Sequence, residues 1–168
     1  MMMHELLQKL IELYKSDVED YDSLLEKMQA FNDFLESKSD QLPIETYVDK
    51  LKEFTLFRND CFRILQQRSL QSTEIKKQLM AKTGRDFQIE DFKPYLAQKD
   101  FSLISDLSQK LPQKMKRVLE LDELIISKLN SELENVREEL NRLQKAQKLK
   151  HIYRSKELID ARFIDKTK

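Results

Sequence analysis

The sequence predicts an all-α protein: an elongated antiparallel bundle of three long helices with coiled-coil-like packing and one or two short helices before the last. Three observations lead to this prediction. The chain has one glycine in 168 residues, whereas sheets, hairpins and phosphate-binding loops need glycine for positive φ. Charged residues make up 36% of the chain, and residue types that favour helices dominate. Apolar residues recur in steps of three and four over long stretches. Rossmann, P-loop and β-sandwich folds are therefore excluded.

The first helix is predicted at about residues 3–38, because nothing in this stretch breaks the helical pattern. Its apolar seam consists of Leu7, Ile11, Tyr14, Val18, Tyr21, Leu25, Met28 and Leu35. Asn32 interrupts the seam. We interpret it as a sign of fraying near residues 37–41, and a role in setting the helix register is the alternative.

The second helix is predicted at residues 43–83, with Pro43 in its first turn and Gly84 as its C-terminal cap. Its main apolar stripe consists of Ile44, Tyr47, Val48, Leu51, Phe54, Phe62 and Leu65. A second row, Phe57, Cys61 and Ile64, lies about 100° around the same helix. This apolar arc is too wide for contact with one helix. A third helix or a partner must cover it.

Residues 85–111 are predicted to be irregular, with short helical pieces, and the last long helix is predicted at 112–150, started or kinked at Pro112. Its seam consists of Leu111, Met115, Val118, Asp122, Ile125, Leu129, Leu133, Val136, Leu140 and Leu143. We expect the carboxylate of Asp122 to reach solvent or a basic neighbour. Residues 1–150 then form one domain, and residues 151–168 form a docking tail or, equally, a frayed terminus.

Charge is distributed unevenly along a chain whose formal net charge is zero. Residues 1–42 carry a net charge of −6 and residues 43–84 carry +3. This opposition favours side-by-side packing of the first two helices, and steering of a basic partner is the alternative. Zero net charge argues against nucleic-acid binding. A cluster of cations, Lys145, Lys148, Lys150 and Arg154, is attributed to the helix dipole near a C-terminus.

The sequence contains no pattern typical of catalysis or of a metal site. His4 and His151 are far from Cys61 in sequence, and no metal-ligand spacing occurs. We therefore expect no enzyme activity, catalytic residue, metal or cofactor. A single cysteine, no apolar stretch of about 20 residues, and a start without a secretion signal together predict a cytoplasmic protein without membrane insertion.

The last helix carries a resemblance to a known family. The residues concerned are 117–129, then Val136 and Leu140, Tyr153 beyond them, and Phe163 to Lys166 near the end. With the size of the chain and the order of its helices, this stretch resembles the flagellar type III export chaperones of the FlgN kind. Many members carry an Asn-x-x-Asn-Gly turn where this chain has DELII at residues 122–126.

The resemblance implies a cytoplasmic, non-enzymatic chaperone. It would bind the terminal helices of the proteins that join hook to filament and deliver them to an export gate component. Tyr153 matches a family tyrosine associated with docking to the gate, and an aromatic packed at a helix end is the alternative.

The predicted partner-binding residues are Phe57, Ile64, Ile125, Leu129, Leu133, Val136, Leu140 and Tyr153. The apolar members would line a groove for a cargo helix. The alternative function is a structural coiled-coil protein that assembles with itself or acts as a scaffold, and a homodimer is left open.

Overall fold

The computed structural model describes the backbone of residues 1–166 and the side chains of residues 1–157. This part of the chain is helical and contains no β-strand. The long helices are α1 (Met3–Ser37), α2 (Ile44–Thr83) and α3 (Gln98–Lys166), and a short 3₁₀ helix at Ile89–Tyr95 precedes α3. The predicted all-α bundle is confirmed.

The chain divides into two compact units, Met1–Ile125 and Ile126–Lys168. We call them the bundle unit and the C-terminal unit. The bundle unit therefore ends at Ile125 rather than at residue 150. Among the side chains that the structure describes, Ile125 is the last one in α3 that is buried.

Contacts within the bundle unit set the directions of its helices. The rings of Phe31 and Phe54 stack with centroids 4.2 Å apart, while Lys76 lies 5.5 Å from the Tyr14 ring at the other end of the pair. α1 and α2 are therefore antiparallel. The Gln8 amide donates a 2.9 Å hydrogen bond to Asp100 near the start of α3, and farther along both helices Lys114 pairs with Asp22, so α1 and α3 run parallel.

The first helix follows its predicted bounds and is buried over a wider face than one seam. Its buried residues are Leu6, Leu7, Leu10, Ile11, Tyr14, Asp17, Leu24, Met28, Phe31, Asn32 and Leu35. Asn32 is buried inside the helix, which continues to Ser37. Ser37 is the first residue of the stretch where fraying was expected, and residues 38–43 after it are not helical.

The second helix also matches its predicted bounds. Gly84 has φ 67° and its N–H donates a 2.8 Å hydrogen bond to the Met80 carbonyl, which is the left-handed cap that glycine allows. The predicted stripe is only partly buried, because Ile44 is exposed near the start of the helix. The buried residues of α2 are Phe54, Cys61, Leu65, Ser72 and Leu79.

The third helix differs from its prediction at both ends. It begins at Gln98, so Pro112 lies inside it, and it continues to Lys166 instead of ending near residue 150. Burial of Ile104, Leu107 and Leu111 explains the early start, because core packing outweighs the cost of an interior proline. Residues 85–111 are thus largely helical.

The segment predicted as a tail, residues 151–168, continues α3 as a helix as far as Lys166. Its docking role stays a prediction. The side chains of Phe163 to Lys166, which contribute to the family resemblance, lie outside the described residues.

The buried seam of α3 also differs from the predicted one. Val118 and Ile125 are buried as expected, but Met115 is 47% exposed and Leu121 is buried instead. Asp122 reaches a basic neighbour as expected, because it pairs with Arg58 of α2.

Candidate functional site

An exposed apolar row on α3, which we call the α3 seam, contains four of the predicted partner-binding residues, Leu129, Leu133, Val136 and Leu140, together with Ile126, which was not predicted. Its members are Ile126, Leu129, Leu133, Val136, Leu140 and Leu143. They follow one another in steps of three and four, which places them on one face of a helix. All except the half-buried Leu129 are exposed, and Val136 has 52% of its surface free.

The α3 seam begins directly after the buried core ends. Ile125 is 1% exposed, whereas its neighbour Ile126 is 45% exposed. Ile125 is therefore a core residue and does not contribute accessible surface, contrary to its prediction as a partner-binding residue. Two successive four-residue steps, from Ile125 through Leu129 to Leu133, mark the point where the apolar row changes face.

Charged side chains of both signs border the α3 seam. Glu132 and Glu139 follow one side, while Arg137 lies on the other side. Arg137 lies 3.6 Å from Glu134 in an exposed pair three residues apart, which contributes little to stability. The row thus has an apolar centre and polar borders, as in a coiled-coil surface.

Two predicted site residues, Phe57 and Ile64, lie on α2 in the bundle unit. Both are half-buried. Phe57 contributes to a groove of about 200 Å³ beside Phe31, Phe34 and Phe54, and Lys27 Nζ lies 5.6 Å from its ring centroid. These residues belong to a different unit from the α3 seam, and we describe them as a separate surface.

Tyr153, the remaining predicted residue, lies on α3 with 65% of its surface exposed. Its neighbour Ile152 is similarly exposed. The side chain is therefore accessible, which docking requires, and it is not an aromatic packed into the described core.

A larger groove between α1 and α2 was not predicted. It has a volume of about 780 Å³, and it is lined by Met1, Leu6, Gln8, Lys9, Glu12, Leu13, Leu70, Gln71, Glu74, Ile75 and Gln78. Its lining includes the exposed Leu70. Leu6 and Leu13 are seven residues apart, and this spacing could have indicated a second apolar row on α1.

The buried charges of the bundle unit form a structural cluster. Arg68 of α2 donates to Asp17 at 3.1 Å and also to Asp20, both on α1. Burial raises the pKa of Asp17 above its ordinary value of 3.8, although the hydrogen bond from Arg68 lowers it. The pairing joins the acidic first helix to the basic second helix, and it fits the predicted side-by-side packing of these helices.

Cys61 lies next to this cluster as a buried thiol. Its Sγ is 3.8 Å from the Asp20 carbonyl oxygen, and burial raises the pKa of the thiol. Because the thiolate is the reactive form, this environment suppresses nucleophilic chemistry.

The two histidines lie in different units of the chain. Nδ1 of His4 lies 3.4 Å from the Tyr95 carbonyl oxygen, and His151 is an exposed residue of the other unit. Among the described side chains, no cluster of three or more His, Cys, Asp or Glu residues could hold a metal ion.

The described helices also include none with the length and apolar character needed to cross a membrane. Comparison of the chain with protein-family models, with curated proteins and with solved structures finds no match in any of the three.

Proposed function

We propose that this protein is a cytoplasmic, non-enzymatic chaperone of flagellar type III export. It binds terminal helices of the hook–filament junction proteins along the α3 seam and delivers them to the export gate. The observation that carries the proposal is the exposure of the seam, in which Leu133, Val136, Leu140 and Leu143 each leave about half or more of their surface free. The resemblance to the FlgN kind of chaperone supplies the identity of the cargo.

The geometry of the seam favours a helical ligand. Ile126 to Leu143 spans roughly 25 Å of helix axis at 1.5 Å per residue. An amphipathic helix of similar length places its own residues at steps of three and four against such a row. Burial of apolar surface supplies the attraction at roughly 25 cal/mol per Å², and no covalent step is needed.

Binding is tested with the full chain and fluorescent synthetic peptides that copy the terminal helices of the hook–filament junction proteins. The seam variant L133E/V136E introduces two carboxylates into the row. The matched control S131E/N135E adds the same charge to exposed positions of α3 off the row. We expect the seam variant to lose at least about tenfold in affinity and the control to lose less than about threefold.

Circular dichroism of each variant separates lost binding from lost folding. Since the seam side chains are already exposed, helix content is expected to stay unchanged. Absence of peptide binding by the unmodified protein, or equal losses in both variants, would contradict the proposal.

The alternative is a structural coiled-coil protein that assembles with itself, and one observation favours it. In a parallel pair of seams, Glu132 of one copy lies beside Arg137 of the second copy, which is the arrangement that stabilises coiled-coil dimers. Mass measured against concentration distinguishes the functions. Filaments or large oligomers of the isolated protein indicate assembly, whereas a monomer or dimer that captures a peptide indicates a chaperone.

A further inference from the structure

We propose that residues 142–156 of α3, which we call the basic segment, bind an anionic lipid surface. The segment contains six cations and no carboxylate, in a chain whose net charge is zero. The cations are Arg142, Lys145, Lys148, Lys150, Arg154 and Lys156. Such a concentration of one sign attracts surfaces of the opposite sign.

The structure removes the explanation that the sequence suggested for these cations. A helix dipole acts on charges within the last turn, but α3 continues to Lys166, twelve residues beyond Arg154. Ion pairs with acidic side chains do not account for these cations either. None of the six forms an ion pair with a described residue, whereas Arg137 on the same helix does.

The basic segment has two distinct faces. At about 100° per residue, its apolar side chains fall within an arc of about 180°. These side chains are Leu143, Ala146, Leu149, Ile152 and Tyr153. Four of the cations, Arg142, Lys145, Lys150 and Lys156, lie within the same arc, and Lys148 and Arg154 lie just outside its two edges. The rest of the opposite face carries Gln144, Gln147, His151 and Ser155.

This mixed arc fits a lipid surface better than a partner helix. A partner helix contacts a narrow apolar row bordered by charges, as on the α3 seam, and that row ends at Leu143. In the basic segment the cations lie between the apolar residues. At a bilayer surface, long cationic side chains extend to the phosphates while apolar side chains enter the boundary with the acyl chains. The face that carries Gln144, Gln147, His151 and Ser155 then remains in water.

The inference stands apart from the proposed cargo, because it needs neither a cargo helix nor the α3 seam. It extends the proposed function by giving the chaperone a direct affinity for the membrane in which an export gate lies. If cargo binding fails its test, lipid binding can still be tested, and the reverse also holds, since L133E/V136E keeps the basic segment intact.

The test is cosedimentation of the full chain with vesicles. One set contains about 30% phosphatidylglycerol in phosphatidylcholine, and the other contains phosphatidylcholine alone. We expect binding to the anionic set only. Release is expected when salt is raised from about 0.1 M to about 0.5 M, because salt screens the attraction.

Reversing two positive charges within the arc is compared with reversing two positive charges on α2. The variant R142E/K150E is expected to lose at least about tenfold in vesicle binding. The matched control K77E/K82E changes two exposed lysines of α2 by the same charge and is expected to lose less than about twofold. Circular dichroism checks the helix content, and R142Q/K150Q replaces the reversal if helicity falls.

Three results would overturn the inference. The first is equal sedimentation with anionic and neutral vesicles, or with neither. The second is an equal loss in both variants, which would assign the effect to net charge. The third is binding of soluble polyglutamate without binding of vesicles, which would assign the segment to an acidic protein.

Discussion

Arg58 of α2 and Asp122 of α3 form an ion pair with two parallel hydrogen bonds. Arg58 Nε donates to Asp122 Oδ1 at 2.6 Å, and a terminal guanidinium nitrogen donates to Oδ2 at 2.6 Å. The guanidinium also lies 4.7 Å from the ring centroid of Phe62. Its hydrogen bonds to Asp122 raise the pKa of Arg58, against the effect of burial. The pair joins α2 to α3 three residues before the bundle unit ends at Ile125.

Breaking this pair from one side is expected to destabilise the bundle unit. Asp122→Ala leaves the partly buried guanidinium without its carboxylate partner, and we expect the free energy of unfolding to fall by about 1–3 kcal/mol. Urea unfolding followed by circular dichroism measures the change. The double variant R58M/D122L should lose less than D122A, because no charge remains unpaired. A double variant less stable than D122A would contradict this account.

Burial of Asp17 is expected to make the free energy of unfolding decrease as the pH rises through the folded-state pKa of this group. Since burial raises its pKa in the folded protein, the folded chain keeps a proton that the unfolded chain has lost at pH values between the two pKa values. The stability contributed by this group is therefore complete below about pH 3.8 and is lost as the pH rises through the folded-state pKa.

This sign is checked by urea unfolding of the unmodified protein and Asp17→Asn between about pH 3.5 and pH 7. The free energy of unfolding of the unmodified protein minus that of D17N should decrease as the pH rises. Asp33→Asn, at an exposed position of α1, is the matched control, and its difference should not follow this course. A difference for D17N that grows with pH would contradict the burial argument.

Pro112 is expected to reduce the stability of the helix that contains it. A proline inside a helix lacks an N–H donor and its ring meets the carbonyl of the residue four positions earlier, which here is Ser108. Pro112→Ala should therefore raise the free energy of unfolding by about 1–3 kcal/mol. Pro94→Ala, in the short 3₁₀ helix, is the control and should change stability less. An unchanged or lower stability of P112A would show that α3 is already adapted to the proline.

The bounds of α1 and α2 could be predicted because the local signals agree with the packing. Gly84 is both the only glycine and the left-handed cap of α2. The start of α3 could not be predicted in the same way, since Pro112 locally indicates a helix start. Burial of Ile104 and Leu107, which depends on the other two helices, decides that the helix begins earlier.

The candidate site could also be predicted only in part, because the sequence pattern is local whereas burial depends on tertiary packing. The spacing of Leu133, Val136 and Leu140 predicted an apolar row, and the structure leaves that row exposed. The pattern alone could not show that Ile125 is core while Ile126 is exposed, because both residues are isoleucine and adjacent. The groove beside Leu70 depends on the pairing of two helices and lies outside the row that the α2 pattern indicated.

Tyr153 is expected to serve docking to the export gate and not cargo binding. Because its side chain is exposed and lies beyond the α3 seam, Tyr153→Ala should leave peptide affinity within about twofold and should weaken binding to a gate component by at least about tenfold. Fluorescence titration with each ligand measures both. Tyr153→Phe is the conservative control. Equal weakening of both interactions would contradict this division of roles.

The proposed function requires that the α3 seam is uncovered in the free protein and covered by a bound helix. The most direct measurement is the rate of maleimide labelling of Leu140→Cys in a Cys61→Ser background. Ser131→Cys, at an exposed position of α3 off the row, is the matched control.

We expect Cys at position 140 to react in the free folded protein within about threefold of its rate in urea, and to be slowed at least about tenfold by a saturating cargo peptide. The control should be unaffected by the peptide. Strong protection of position 140 in the free single chain, or no protection by any terminal-helix peptide, would contradict the account.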